Sequence, residues 1–110
     1  MRAYRDPLAL YEELKTAWSA QSSSVWTADM PAKGQCSVNA LVVQDLFGGE
    51  ILKTRTPGGM HFYNRVGNVR WDLTIGQFAS PIPFEDLPAT REDALADTSP
   101  AQYAALRERL

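Results

Sequence analysis

The chain is 110 residues long, 45% hydrophobic and 22% charged, with 11 basic and 13 acidic residues and a net charge of −2. That size predicts a single domain over residues 1–110 with its own core, and the lack of a basic tract argues against nucleic acid as a partner. A single cysteine excludes an intramolecular disulfide and zinc-finger spacing, so no metal or other cofactor is called for. No apolar run is long enough for a membrane span and the N-terminus lacks a signal-peptide core, so the expected location is the cytoplasm, where a lone thiol stays reduced.

Asp6-Pro7 predicts a helix start: a capping carboxylate, then proline at the first helical position. Leu10 or Tyr11, Leu14, Ala17 and Trp18 follow at spacings of three and four, an apolar stripe with Glu12, Glu13 and Lys15 opposite. Ser22-Ser23-Ser24 is expected to end this helix and open a loop. Trp26 lies in that loop and is a candidate wall of a substrate pocket, although a loop tryptophan usually serves packing.

Pro31 and Gly34 lead to Cys36, where a second helix is expected to begin. Ala40-Leu41-Val42-Val43, then Leu46 and Phe47, are apolar on too many sides for a surface helix, so the helix reads as buried. Gly48-Gly49 supplies the residue that ends it. A thiol at a helix start lies beside unpaired N–H groups that favour its thiolate. The competing reading is a small, inert, buried hydrophobe.

Beyond Gly49 the period changes from helical to two. Glu50 to Thr54 is a strand candidate and Thr56-Pro57-Gly58-Gly59 a turn. Met60 to Val66 and Val69 to Thr74 form an expected antiparallel hairpin with one buried face. In a hairpin with a four-residue loop, His61 stands opposite Asp72. With a loop of only Gly67-Asn68, His61 pairs with Thr74 and Asp72 is its diagonal neighbour; both registers put the two side chains on one face. Gly76-Gln77-Phe78 and Pro81-Ile82-Pro83-Phe84 read as irregular scaffold, since prolines so close disfavour a central strand. Thr90-Arg91-Glu92-Asp93 predicts a helix start with Leu95 as the main apolar contact. Ser99-Pro100 predicts another, with Tyr103, Leu106 and Leu110 as the stripe and Arg107, Glu108 and Arg109 facing water.

These positions suggest a thiol nucleophile at Cys36, an acid–base at His61 and an orienting carboxylate at Asp72, the residue types that acyl transfer through a thiol requires. Asn64 is the alternative orienter. Gln35 is a candidate oxyanion donor beside the helix-start N–H groups, and Tyr63 and Asn64 join Trp26 as candidate substrate contacts. Each residue also has a plainer role available: a structural histidine, a capping aspartate, a loop amide.

The run Gly34-Gln35-Cys36 through Asp45-Leu46-Phe47-Gly48-Gly49-Glu50-Ile51, then His61-Phe62-Tyr63-Asn64, then Asp72-Leu73-Thr74 with Gln77-Phe78, resembles the YunG family of small bacterial proteins. The likeness extends to Trp26, Arg91 and the Tyr103-to-Leu110 region; Tyr63 departs from it, standing where the family has tryptophan. The order Cys, His, Asp, with the thiol on a helix and the other two on strands, is similar in arrangement to the papain and transglutaminase superfamily. The change of period after Gly49 predicts an α+β fold in which the Cys36 helix packs on a small antiparallel sheet, flanked by N- and C-terminal helices, and the similarity implies that this fold is papain- or transglutaminase-like. It also implies acyl chemistry on an amide- or peptide-containing substrate: hydrolysis, deamidation or transfer. Two other functions are open, a non-catalytic binding or adaptor domain on the same scaffold and a toxin-like effector that modifies another protein.

Overall fold

A computed structural model describes residues 3–110. Its elements are α1 (Pro7–Ala17), α2 (Cys36–Phe47), β1 (Glu50–Thr56), β2 (Gly59–Val66), β3 (Val69–Trp71), a 3-10 turn (Ile75–Gln77), β4 (Leu87–Ala89), α3 (Arg91–Leu95) and α4 (Pro100–Glu108). The architecture is α+β: one antiparallel sheet in the order β3-β2-β1-β4, with helices around it.

The caps lie where the sequence predicts them. Asp6 accepts the Ala9 N–H at 2.8 Å with Pro7 next in the chain, and Leu10, Leu14 and Ala17 form the buried stripe of α1. Thr90 and Ser99 each close a reciprocal capping box, with Asp93 and Gln102 respectively. α2 is buried from Ser37 to Val43 and stops at Gly48, whose φ of 71° most side chains resist.

Several expectations are corrected. α1 ends at Ala17, so Trp18 is its extended C-cap and not part of the helical stripe, although it is still buried. β1 runs on to Thr56 and the turn shrinks to Pro57-Gly58. β3 stops at Trp71, three residues short of the expected end, and the chain turns away at Asp72. β4 was not foreseen. It is a short edge strand pairing with β1 and it carries Pro88, which an edge tolerates. In α3 the fully buried residue is Ala94, whereas Leu95 is exposed.

The hairpin register settles the geometry around the histidine. Asn64, Arg65 and Val66 pair with Trp71, Arg70 and Val69, so the loop is Gly67-Asn68 alone. Both loop residues have positive φ, 57° and 63°, as tight primed turns demand. The hairpin was expected to bury one face, but β2 buries both: His61, Phe62, Tyr63 and Asn64 are all enclosed. On one side, Phe62 and Ile51 pack with Ala40 and Leu41 of α2. On the other, the segment 78–86 crosses the sheet as a strap. Phe78 meets the His61 ring edge-on at 4.7 Å and Phe84 meets Tyr63 at 5.2 Å.

Candidate functional site

Cys36 is the first residue of α2, partly exposed, and packs at the edge of the core cluster that includes Leu41, Ile51 and Phe62. The approach to it is shaped by Gly34, at φ 73°. A Cβ there would fall 2.4 Å from Ser23 Oγ and from Val25 Cγ2. Only glycine both adopts that backbone and clears the Ser23 loop, so Gly34 determines how the chain enters α2. The Ser37 hydroxyl lies 2.7 Å from that of Thr98, tying the first turn of α2 to the segment after α3.

His61 points from β2 into the space beneath Phe78 and is 2% exposed. Its Nε2 lies 2.7 Å from Asp72 Oδ2. Asp72 reaches it because β3 has ended: the other carboxylate oxygen, Oδ1, accepts the Thr74 N–H at 3.2 Å and the Thr74 hydroxyl at 3.3 Å. One oxygen thus holds the carboxylate's own turn while the second holds the imidazole. Nδ1, the ring's other nitrogen, is buried and has no hydrogen-bond partner among the described residues. After Asp72, Cys36 is the next group whose interaction raises the ring's pKa.

Burial is the largest single influence on the imidazole and opposes its charge. Hydrogen bonding to Asp72 first, then the influence of Cys36 and the charge of Asp72, outweigh it, and the pKa rises from 6.5 to about 9. Tyr63 stacks beside the ring at 5.9 Å, and its hydroxyl donates to Asp86 Oδ1 at 2.8 Å and accepts the Asp86 N–H at 2.7 Å. Burial, then that carboxylate, push Tyr63 up to about 12.

The sequence-predicted residues divide into two groups. His61 and Asp72 are hydrogen-bonded, with Tyr63 stacked beside the ring, and Cys36 acts on the same imidazole electrostatically. Gln35, Asn64 and Trp26 serve elsewhere. Gln35 is fully buried and its amide donates to the Ser19 carbonyl at 3.4 Å, turned inward and not toward solvent. Asn64 donates to the Ala40 carbonyl of α2 at 3.1 Å, so the bond to the imidazole is made by Asp72. Trp26 lines a surface cavity with Trp18 and Pro31 that includes none of Cys36, His61 or Asp72.

Two contributors, Gln77 and Phe78, carry the family likeness but had no role in the site assigned from the sequence. Gln77 bridges the two halves of the site: its amide oxygen accepts the Gly34 N–H at 3.3 Å and its nitrogen donates to the Thr74 carbonyl at 3.1 Å. It connects the entry to Cys36 with the turn that carries Asp72. Phe78, the next residue, roofs His61. The strap holding Phe78 is pinned at its far end. Thr54, opposite His61 in the register, donates to the Pro83 carbonyl and accepts the Glu85 N–H. Asp86, held at φ 54°, takes a two-pronged bond from Arg70 at 2.8 and 2.6 Å. Three aromatics or aliphatics within a proline-rich stretch, Phe78, Ile82 and Phe84, were the available signal that this segment packs inward. Among the described residues no three histidine, cysteine, aspartate or glutamate side chains are grouped to hold a metal ion, and no helix is long and apolar enough to cross a membrane.

The YunG protein family model matches residues 6–110. The chain is 50% identical over 95 residues to the uncharacterized protein YunG of Bacillus subtilis (strain 168), a match that covers 86% of this chain and 83% of that protein. The chain belongs to the YunG family. No solved structure matches it.

Proposed function

We propose that the protein carries out cysteine-dependent acyl chemistry on an amide, as a hydrolase, deamidase or acyltransferase, with Cys36 as nucleophile, His61 as acid–base and Asp72 as orienter. The observation that carries this is the buried His61, bonded through one nitrogen to Asp72 and with its other nitrogen unpartnered among the described residues. An imidazole charged through neutral pH is the partner that holds a thiol as thiolate.

The chemistry follows from that pair. The thiolate sulfur attacks the amide carbonyl carbon, and the imidazolium then gives its proton to the departing nitrogen as the C–N bond breaks. The neutral ring next takes a proton from water or an acceptor amine, whose oxygen or nitrogen attacks the thioester and releases the thiolate. Asp72 stabilises the charged ring and fixes its orientation throughout. Gln35 caps α2 without a side-chain bond to it, so the first N–H groups of that helix are donors for the oxygen that gains charge. On this reading the Cys36 helix and its antiparallel sheet are a reduced papain- or transglutaminase-like arrangement, working in the reducing cytoplasm.

The test is the rate of Cys36 alkylation by iodoacetamide as a function of pH, followed by intact mass, for wild type, His61→Ala and His61→Gln. Wild-type thiol should remain reactive below neutral pH. Both variants should need the higher pH of an ordinary thiol, near about 8.5. Superimposable profiles for the three folded proteins would end the enzyme reading.

A further inference from the structure

A groove runs along α1, and all three tryptophans of the chain line it. It has three lobes of about 330, 280 and 620 Å³. Tyr11 borders the first and second lobes, and Lys15, Trp18 and Pro31 border the second and third, so the lobes lie side by side along the helix. Trp71 sits at one end, Trp18 in the middle and Trp26 at the other. Three of the large apolar side chains most exposed to water also lie here: Leu8, Met30 and Ile75, at 57%, 36% and 48%. Scattered exposed hydrophobics need no explanation, but three of them joined by tryptophan and tyrosine make the composition of a recognition surface.

The charges are uneven along the groove. Asp72, the one carboxylate among the lining residues, is turned into the interior toward His61. Arg70 at that end is neutralised by Asp86. The Trp26 end is edged by Lys15 and Arg109; Lys15 pairs with Glu12, and Arg109 has no ion-pair partner among the described residues. The distance from Leu8 to Trp18 along the helix is about 15 Å at 1.5 Å per residue, which accommodates four or five extended residues at about 3.3 Å each.

We infer that this groove binds an extended peptide segment with large apolar side chains and a carboxylate at the Trp26–Arg109 end. The apolar side chains fill the lobes against the indole rings, and the carboxylate meets Arg109. Trp26, which stands away from the thiol, has its use here. The inference does not rest on the thiol chemistry: no lobe is lined by Cys36 or His61, and Asp72, which borders the first, has its carboxylate turned to His61.

The probe is an acetylated peptide of about seven residues alternating leucine with glutamate, beside its lysine counterpart, titrated into the wild-type protein. Since every tryptophan lies in the groove, intrinsic fluorescence reports occupancy directly. The glutamate peptide should shift the emission saturably, and the lysine peptide should bind at least about tenfold more weakly. Arg109→Glu should reverse that preference. Ile75→Ser and Leu8→Ser, both at exposed positions that leave the core intact, should each weaken the glutamate peptide by about tenfold or more. Failure of both peptides to shift the emission would overturn the proposal, as would equal affinity for the two. So would a sedimentation profile showing a dimer that Ile75→Ser dissolves, since a second copy would then be the occupant.

Discussion

Replacing Asp72 by asparagine isolates the interaction on which the site depends, and the chain's single histidine makes the outcome readable. In the native protein Asp72 is the foremost influence raising the His61 pKa to about 9, while burial works against it. Asp72→Asn removes the negative charge at 2.7 Å but leaves the burial. The His61 midpoint should therefore fall by more than about one pH unit, the usual effect of a carboxylate at contact distance. The assay is a titration of the one imidazole by heteronuclear NMR, which needs no assignment strategy. The same linkage governs stability. Folded His61 binds its proton more tightly than the unfolded ring, with its ordinary value of 6.5, so the contribution is whole below pH 6.5 and is lost as pH rises through about 9. At roughly 1.4 kcal/mol per pH unit, that rise corresponds to about 3 kcal/mol. Wild type should lose about that much unfolding free energy between pH 6 and pH 10 through this group, and Asp72→Asn distinctly less. A wild-type midpoint at or below 6.5, or identical pH–stability curves for the two proteins, would refute the account of the site.

Two further outcomes bear on the scaffold. Gly34→Ala should destabilise the domain by about 2 kcal/mol or more, because a side chain at φ 73° is strained and its Cβ meets the Ser23 loop; denaturant unfolding measures the loss, and the alkylation rate of the folded variant should change with it, since this residue steers the entry to Cys36. Tyr63→Phe should cost about 1–3 kcal/mol in the same assay, because the Asp86 N–H loses its partner at a partly buried position; a neutral effect would show that the strap is held by Arg70 and Thr54 alone.

What the sequence determined by itself is mostly local. Asp6-Pro7, Thr90 and Ser99 mark helix starts through short-range capping bonds, Gly48 marks an end through its φ, and the change of period after Gly49 marks the passage from helix to sheet. These signals act within one turn or one hairpin, so they are legible without knowledge of the fold. Alternation also put His61 and Asp72 on one face in either of two hairpin registers, without choosing between them. What only the tertiary structure decided is what each face meets. Alternation cannot tell that β2 is covered twice, because the second cover is a proline-rich strap with no period of its own, held by long-range bonds from Thr54, Tyr63 and Arg70. Nor can it tell that β3 stops at Trp71 so that Asp72 turns to bond His61, or that Gln35 and Asn64 spend their amides on distant carbonyls. Gln77 shows the reason most plainly: nothing in its neighbours announces a bridge, because its two partners, Gly34 and Thr74, become neighbours only when the chain has closed around the site.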